Sequence, residues 1–208
     1  MEPLIKILSA SAELFRQYGF KTITMDDIAR KAGISKKTLY QHFPNKDAVV
    51  SESVTWYKEK ITEMCEAAMN EAESAIEGMV RTMGMFDQIN RQINPIALLE
   101  LERYYPEGYK RFKAFLLEKD VAVIKKNMVR GIEEGFYREE INPDFMARYR
   151  LELSLLVFHP SLLVSEPYEL HRVANEVSEH FLFGIMTPKG EKLYQKYKEK
   201  YLTQVARI

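Results

Sequence analysis

A chain of 208 residues with 46% hydrophobic and 29% charged side chains has enough apolar matter for a real core, which excludes a disordered or fibrous protein. Its 30 basic residues balance 30 acidic ones, so a protein that coats nucleic acid over its whole surface is excluded and any such contact must be local. Cys65 is the only cysteine, which rules out an intramolecular disulfide or a cysteine metal cluster within one chain and fits a reducing cytoplasm.

Leu4, Ile7, Leu8, Ser11, Phe15 and Tyr18 recur at helical spacing and predict a first helix that stops at Gly19. Glu2 ahead of the apolar segment, and a pattern that runs on through Glu13, Leu14 and Phe15, argue for a cytoplasmic N-terminus rather than a secretory leader. Thr24 starts a second helix, with Asp27 completing a capping box in which Asp stands where Glu or Gln is usual. Ile28, Ala29 and Ala32 supply its buried face, and Gly33 ends it. Ser35 caps a short third helix to about Phe43, and Asn45 caps a fourth that runs past Trp56.

Helix, glycine turn, helix is the arrangement that can lay one short helix in the major groove of DNA. Ile34, Leu39 and Phe43 lock that helix down, leaving Lys36, Lys37, Thr38, Tyr40, Gln41 and His42 exposed on it. Its N-terminus at Ser35 offers free N–H groups to a phosphate. Lys36 and Lys37 suit guanine or phosphate, the Gln41 amide suits adenine, and Thr24 and Lys46 start helices where the backbone should pass. Residues 1–50 carry eight cations against five anions, a modest local excess. A helical protein-interaction module with the same motif is the alternative, and it would show almost no salt-dependent binding to duplex DNA.

The stretch resembles the N-terminal signature of TetR-family regulators, through Tyr18-Gly19-Phe20, Thr24, Ile28-Ala29, Ala32-Gly33-Ile34-Ser35, Leu39-Tyr40, His42-Phe43 and Lys46. The resemblance implies an all-α homodimer: a helix-turn-helix domain over residues 1–46 and a helical ligand-binding and dimerisation domain over 47–208. It implies that Thr24, Tyr40, His42 and Lys46 touch phosphates of operator DNA and that Lys36, Lys37 and Thr38 lie nearest the bases. A small-molecule effector would release this repressor from its operator. Many members have glycine where this chain has Lys37, so the operator sequence does not carry over.

Farther on, Asn94-Pro95 and Asn142-Pro143 each read as an N-cap followed by proline at the first helical position. Pro106 opens another helix, with Gly135 as a left-handed terminator. Between them and just before lies a dense supply of methionine and aromatic side chains, suited to an adaptable apolar pocket. The candidates are Met79, Met83, Phe86, Tyr104, Tyr105, Tyr109, Phe112 and Met128, with Arg81, Glu100 and Arg103 able to supply charge. Two further helices, roughly 143–158 and 167–186, carry the stripes Phe145, Tyr149, Leu153, Leu156 and Val173, Val177, Phe181, Ile185. The resemblance implies that these close an intermolecular four-helix bundle; otherwise they complete the monomer core. Residues 187–190 read as a turn before a polar helix from Glu191 to Arg207. With no nucleophile elbow, phosphate loop or dinucleotide motif, no enzyme activity and no cofactor are expected. Glu176 and His180 lie one helical turn apart but lack further ligands, so no metal is expected either. No apolar run reaches the ~20 residues of a membrane span.

Overall fold

The computed structural model describes residues 2–163 and 169–201, whose regular structure is all helical. The helices are α1 Pro3–Tyr18, α2 Met25–Ala32, α3 Lys36–His42, α4 Lys46–Glu71, α5 Ala75–Asn90, α6 Ala97–Tyr104 and α7 Pro106–Phe115. A π-helical turn, Leu116–Asp120, leads into α8 Val121–Glu133, followed by α9 Pro143–Leu156, α10 Pro160–Leu163, α11 Leu170–Ile185 and α12 Pro188–Tyr201. No helix of the described residues is long and apolar enough to cross a membrane.

The chain divides into two compact units, Met1–Ile61 with Gln92–Phe115, and Thr62–Arg91 with Leu116–Ile208. Residue 46, where the sequence reading places a domain boundary, is the first residue of α4 and lies inside the first unit, which also recruits α6 and α7.

The first unit closes around Ile7, Phe15, Ile28, Leu39, Phe43, Val49 and Val50, all buried, with Phe15 and Phe20 stacked at 4.8 Å between centroids. In the second, Ile76, Met79, Met128, Tyr137, Leu182, Ile185 and Tyr194 form the core. Gly131 is what lets α8 meet Tyr137, because a Cβ there would overlap the phenol ring. The ring is buried, and its hydroxyl donates to Asn127 Oδ1 at 3.0 Å while Asn127 Nδ2 donates to the Ala75 carbonyl at 3.0 Å. Burial pushes the Tyr137 phenol far above its ordinary value, so it stays neutral.

Local signals located most helix ends. Asn142 caps α9 by accepting from the Asp144 and Phe145 N–H groups, and Gly135 takes φ 71° beyond α8. Elsewhere the chain departs from its sequence reading. After Asn94-Pro95 the helix starts only at Ala97, since the Asn94 side chain and carbonyl serve the N–H groups of Ile96 and Ala97 in a turn. The run from Pro106 is broken by the π turn rather than continuing as one α-helix. Pro188 is not in a turn but opens α12, where proline sacrifices no helical hydrogen bond. The expected helix start at Pro167 and the tail beyond Tyr201 lie outside the described residues.

Candidate nucleic-acid interface

The helix-turn-helix is built from short-range hydrogen bonds. Thr24 Oγ1 donates to Asp27 Oδ2 at 2.6 Å, the Thr24 N–H donates to the same oxygen at 3.0 Å, and the Asp27 N–H returns to Thr24 Oγ1 at 3.2 Å. The Thr24 bonds hold the Asp27 carboxyl below its ordinary value. Gly33 turns the chain with φ 65°, in the left-handed region that costs a residue with a Cβ but not glycine. Ser35 Oγ then accepts the Thr38 N–H at 3.0 Å and pairs with the Thr38 hydroxyl at 2.8 Å.

Leu39 is fully buried and Phe43 nearly so, and this fixes the rotation of α3. Lys36, Lys37, Tyr40, Gln41 and His42 are thereby all exposed on it. Thr38 differs from expectation: it is half-buried, and its hydroxyl is engaged by Ser35. The charges are less free than their count suggests. Lys36 Nζ lies 2.7 Å from Asp26 Oδ1, Lys31 pairs with Glu13 at 2.7 Å, and Arg30 pairs with Asp27 at 3.3 Å. The Asp26 bond raises the Lys36 pKa. Among the described residues Lys37 enters no ion pair, so it faces solvent as an uncommitted cation. Asp26 was not a candidate from sequence; its pairing across the turn is invisible to local spacing.

Lys46 has partners within its own unit. Its Nζ donates to the Phe20 carbonyl at 2.5 Å, and it lies 5.9 Å from the Phe15 ring centroid and 5.6 Å from that of Tyr105. Glu100, on α6, completes the arrangement: its Oε2 accepts the Phe20 N–H at 2.7 Å and the Lys21 N–H at 3.0 Å. Glu100, read from sequence as pocket charge, is here a cap for the turn between α1 and α2. Desolvation pushes the Lys46 ammonium down. Lys46→Ala is therefore expected to cost about 2 kcal/mol, as a lost charge-assisted hydrogen bond does. It should appear as a lower urea midpoint at unchanged m, with the salt slope of duplex binding unaltered. A slope reduced by about one would instead place Lys46 on a phosphate.

The effector candidates fall in both compact units. Met79, Met83 and Met128 are core of the second unit. Tyr105, Tyr109 and Phe112 pack against the core of the first, and Tyr104 is exposed there beside Lys21 and Arg103. Phe86 is half-buried on α5 in the second unit.

The dimer candidates come together more closely. A groove of about 490 Å³ between α9 and α11 is lined by Tyr149, Leu153, Val173, Val177, Phe181 and Ile185, with Glu176 and His180 among its walls. Phe145 and Leu156 are exposed along α9, with Phe145 stacked on Tyr149 at 6.0 Å, whereas Phe181 and Ile185 are almost wholly buried as the groove floor. Among the described residues no group of three or more potential metal ligands is assembled.

Residues 7–52 match the model for bacterial regulatory proteins of the tetR family. The uncharacterized HTH-type transcriptional regulator YvaF of Bacillus subtilis is 24% identical over 86% of this chain and 94% of its own length. The HTH-type transcriptional repressor KstR2 of Mycobacterium tuberculosis is 26% identical over 69% of this chain and 74% of its own. In fold, the chain is similar to FadR of Bacillus subtilis, solved in complex with stearoyl-CoA, with TM-score 0.67 and 18% identity over 88% of this chain and 99% of that one.

Proposed function

We propose that this chain is a TetR-family regulator, a reading supported by the match over residues 7–52, and that it works as a homodimeric repressor that binds operator DNA through α3 and is released by a small molecule. One observation carries the reading. The turn caps at Thr24, Gly33 and Ser35, together with buried Leu39, present Lys36, Lys37, Tyr40, Gln41 and His42 on a single exposed helix. The apolar groove of α9 and α11, with Phe145, Tyr149 and Leu156 exposed around it, supports dimerisation through these helices. A twofold dimer reads two half-sites when its recognition helices lie ~34–36 Å apart. An effector that binds better to a dimer with another spacing weakens operator binding by that difference in affinity and no more. The similar fold of FadR, solved with stearoyl-CoA, supports a small-molecule effector.

The test is fluorescence anisotropy of a labelled random duplex titrated with the purified protein from low to high salt, followed by selection of bound sequences from a random pool. Weak nonspecific binding with a steep log–log salt slope and recovery of a palindromic site are expected. A dimer that ignores every duplex at low ionic strength sinks the proposal.

A further inference from the structure

Arg150, on α9, has no counter-charge among the described residues. Its Nη1 donates to Ser154 Oγ at 3.0 Å and its Nη2 to Ser178 Oγ at 2.9 Å, and the guanidinium lies 5.6 Å from the centroid of the buried Phe181 ring. Both serines are neutral, and their own protons go to the backbone carbonyls of Arg150 and Ala174. No carboxylate of the described residues pairs with it. The nearby phenol of Tyr137 is neutral and committed to Asn127, so it offers no negative charge. Desolvation pushes the Arg150 guanidinium down to about 10. The side chain nevertheless keeps part of its surface accessible. A guanidinium has five N–H donors, and the two serine bonds leave others for an incoming group.

Desolvated charges are normally paired, because an isolated one costs far more than a bonded pair. Here the pairing group is missing while its seat is prepared: two serines fix the guanidinium plane, and an aromatic face backs it. We propose that Arg150 anchors the anionic group of the effector, a carboxylate or a phosphate borne on an apolar body. The anion supplies the absent counter-charge through N–H bonds of the free edge, and the ring of Phe181 favours an apolar portion next to it. This rests on the reading of the chain as a ligand-responsive regulator and gives its ligand a chemical class.

The experiment measures binding of palmitate, palmitoyl-CoA and 1-hexadecanol to the full chain by calorimetry, below their micellar concentrations. At least one of the two anions is expected to bind about 30-fold more tightly than the uncharged alcohol, the ratio that a charge-assisted hydrogen bond supplies. Palmitate in that role identifies a carboxylate, and palmitoyl-CoA alone identifies phosphate. Arg150→Gln should bring the anion down to the level of hexadecanol, and Arg150→Lys should retain most of the preference. Equal affinity of alcohol and anions for the wild-type chain overturns the proposal, and this comparison stands even if Arg150→Gln does not fold. So does an Arg150→Gln chain that keeps its anion affinity but loses its dimer, because the counter-charge would then belong to a second copy. Duplex binding without any anion preference removes this inference and leaves the regulator; anion binding without duplex binding does the reverse.

Discussion

Changing Lys36 and Lys37 together to alanine is expected to lower affinity for every duplex about 100-fold at ~0.1 M salt and to flatten the log–log salt slope by about two. Both side chains are exposed on α3, and neither packs into the core that orients it. The unfolding midpoint should therefore hardly move, which separates this result from loss of fold. The two lysines are not equivalent. Lys37 enters no ion pair among the described residues, whereas Lys36 must leave Asp26, 2.7 Å away, before it can reach DNA. The single change at Lys37 should accordingly account for more than half of the loss in free energy. Asp26→Asn should act in the opposite direction, tightening duplex binding several-fold, since it frees Lys36 and removes a negative charge that repels phosphate. Anisotropy titrations of the three variants over a salt series decide it. A weaker-binding Asp26→Asn chain would show that the Lys36–Asp26 pair positions α3 rather than restraining it.

Glu77→Gln is expected to cost about 3 kcal/mol of folding stability at neutral pH, the largest effect foreseen for a single side chain. Glu77 is only 1% exposed on α5. Its Oε1 accepts from Arg81 at 2.8 Å and from the Tyr201 hydroxyl at 2.6 Å, and its Oε2 accepts the Glu73 N–H at 2.7 Å. Arg81 Nε already lies buried without a partner, so removing the carboxylate strands the guanidinium further. Burial alone would raise the Glu77 pKa, but the bonds from Tyr201, the Glu73 N–H and Arg81 outweigh it and hold the carboxyl below its ordinary value. A group with a lowered folded pKa stabilises fully above its unfolded value, near 4.5 for glutamate, and that contribution is lost as the pH falls through the lower folded value. The gap between wild type and Glu77→Gln in urea unfolding should thus be wide at pH ~7 and shrink below pH ~4. A gap independent of pH would mean that the carboxylate acts by shape rather than by charge.

The caps of α2 and α3 were legible because they are local. A Thr24–Asp27 box and a Ser35 cap need partners only three residues away, and a glycine at the turn permits a φ that other residues resist. The face of α3 followed from the spacing of Leu39 and Phe43 alone. The methionine and aromatic candidates for a pocket share a composition but divide between two cores, Met79, Met83 and Met128 in one and Tyr105, Tyr109 and Phe112 against the other. Composition says which residues will be buried, not which core each will join.

The caps of the helix-turn-helix, its exposed basic helix and the family likeness thus lay in the sequence itself, because hydrogen bonds between near neighbours and the period of the α-helix act within a few residues. Only the tertiary structure decided that Lys46 donates to the Phe20 carbonyl, that Glu100 caps a turn some 80 residues away, and that Arg150 sits among serines with no acid of the described residues beside it. The physical reason is the same in each case. A charge chooses its partner by distance in space and by the water it loses, and neither quantity exists until remote segments have packed.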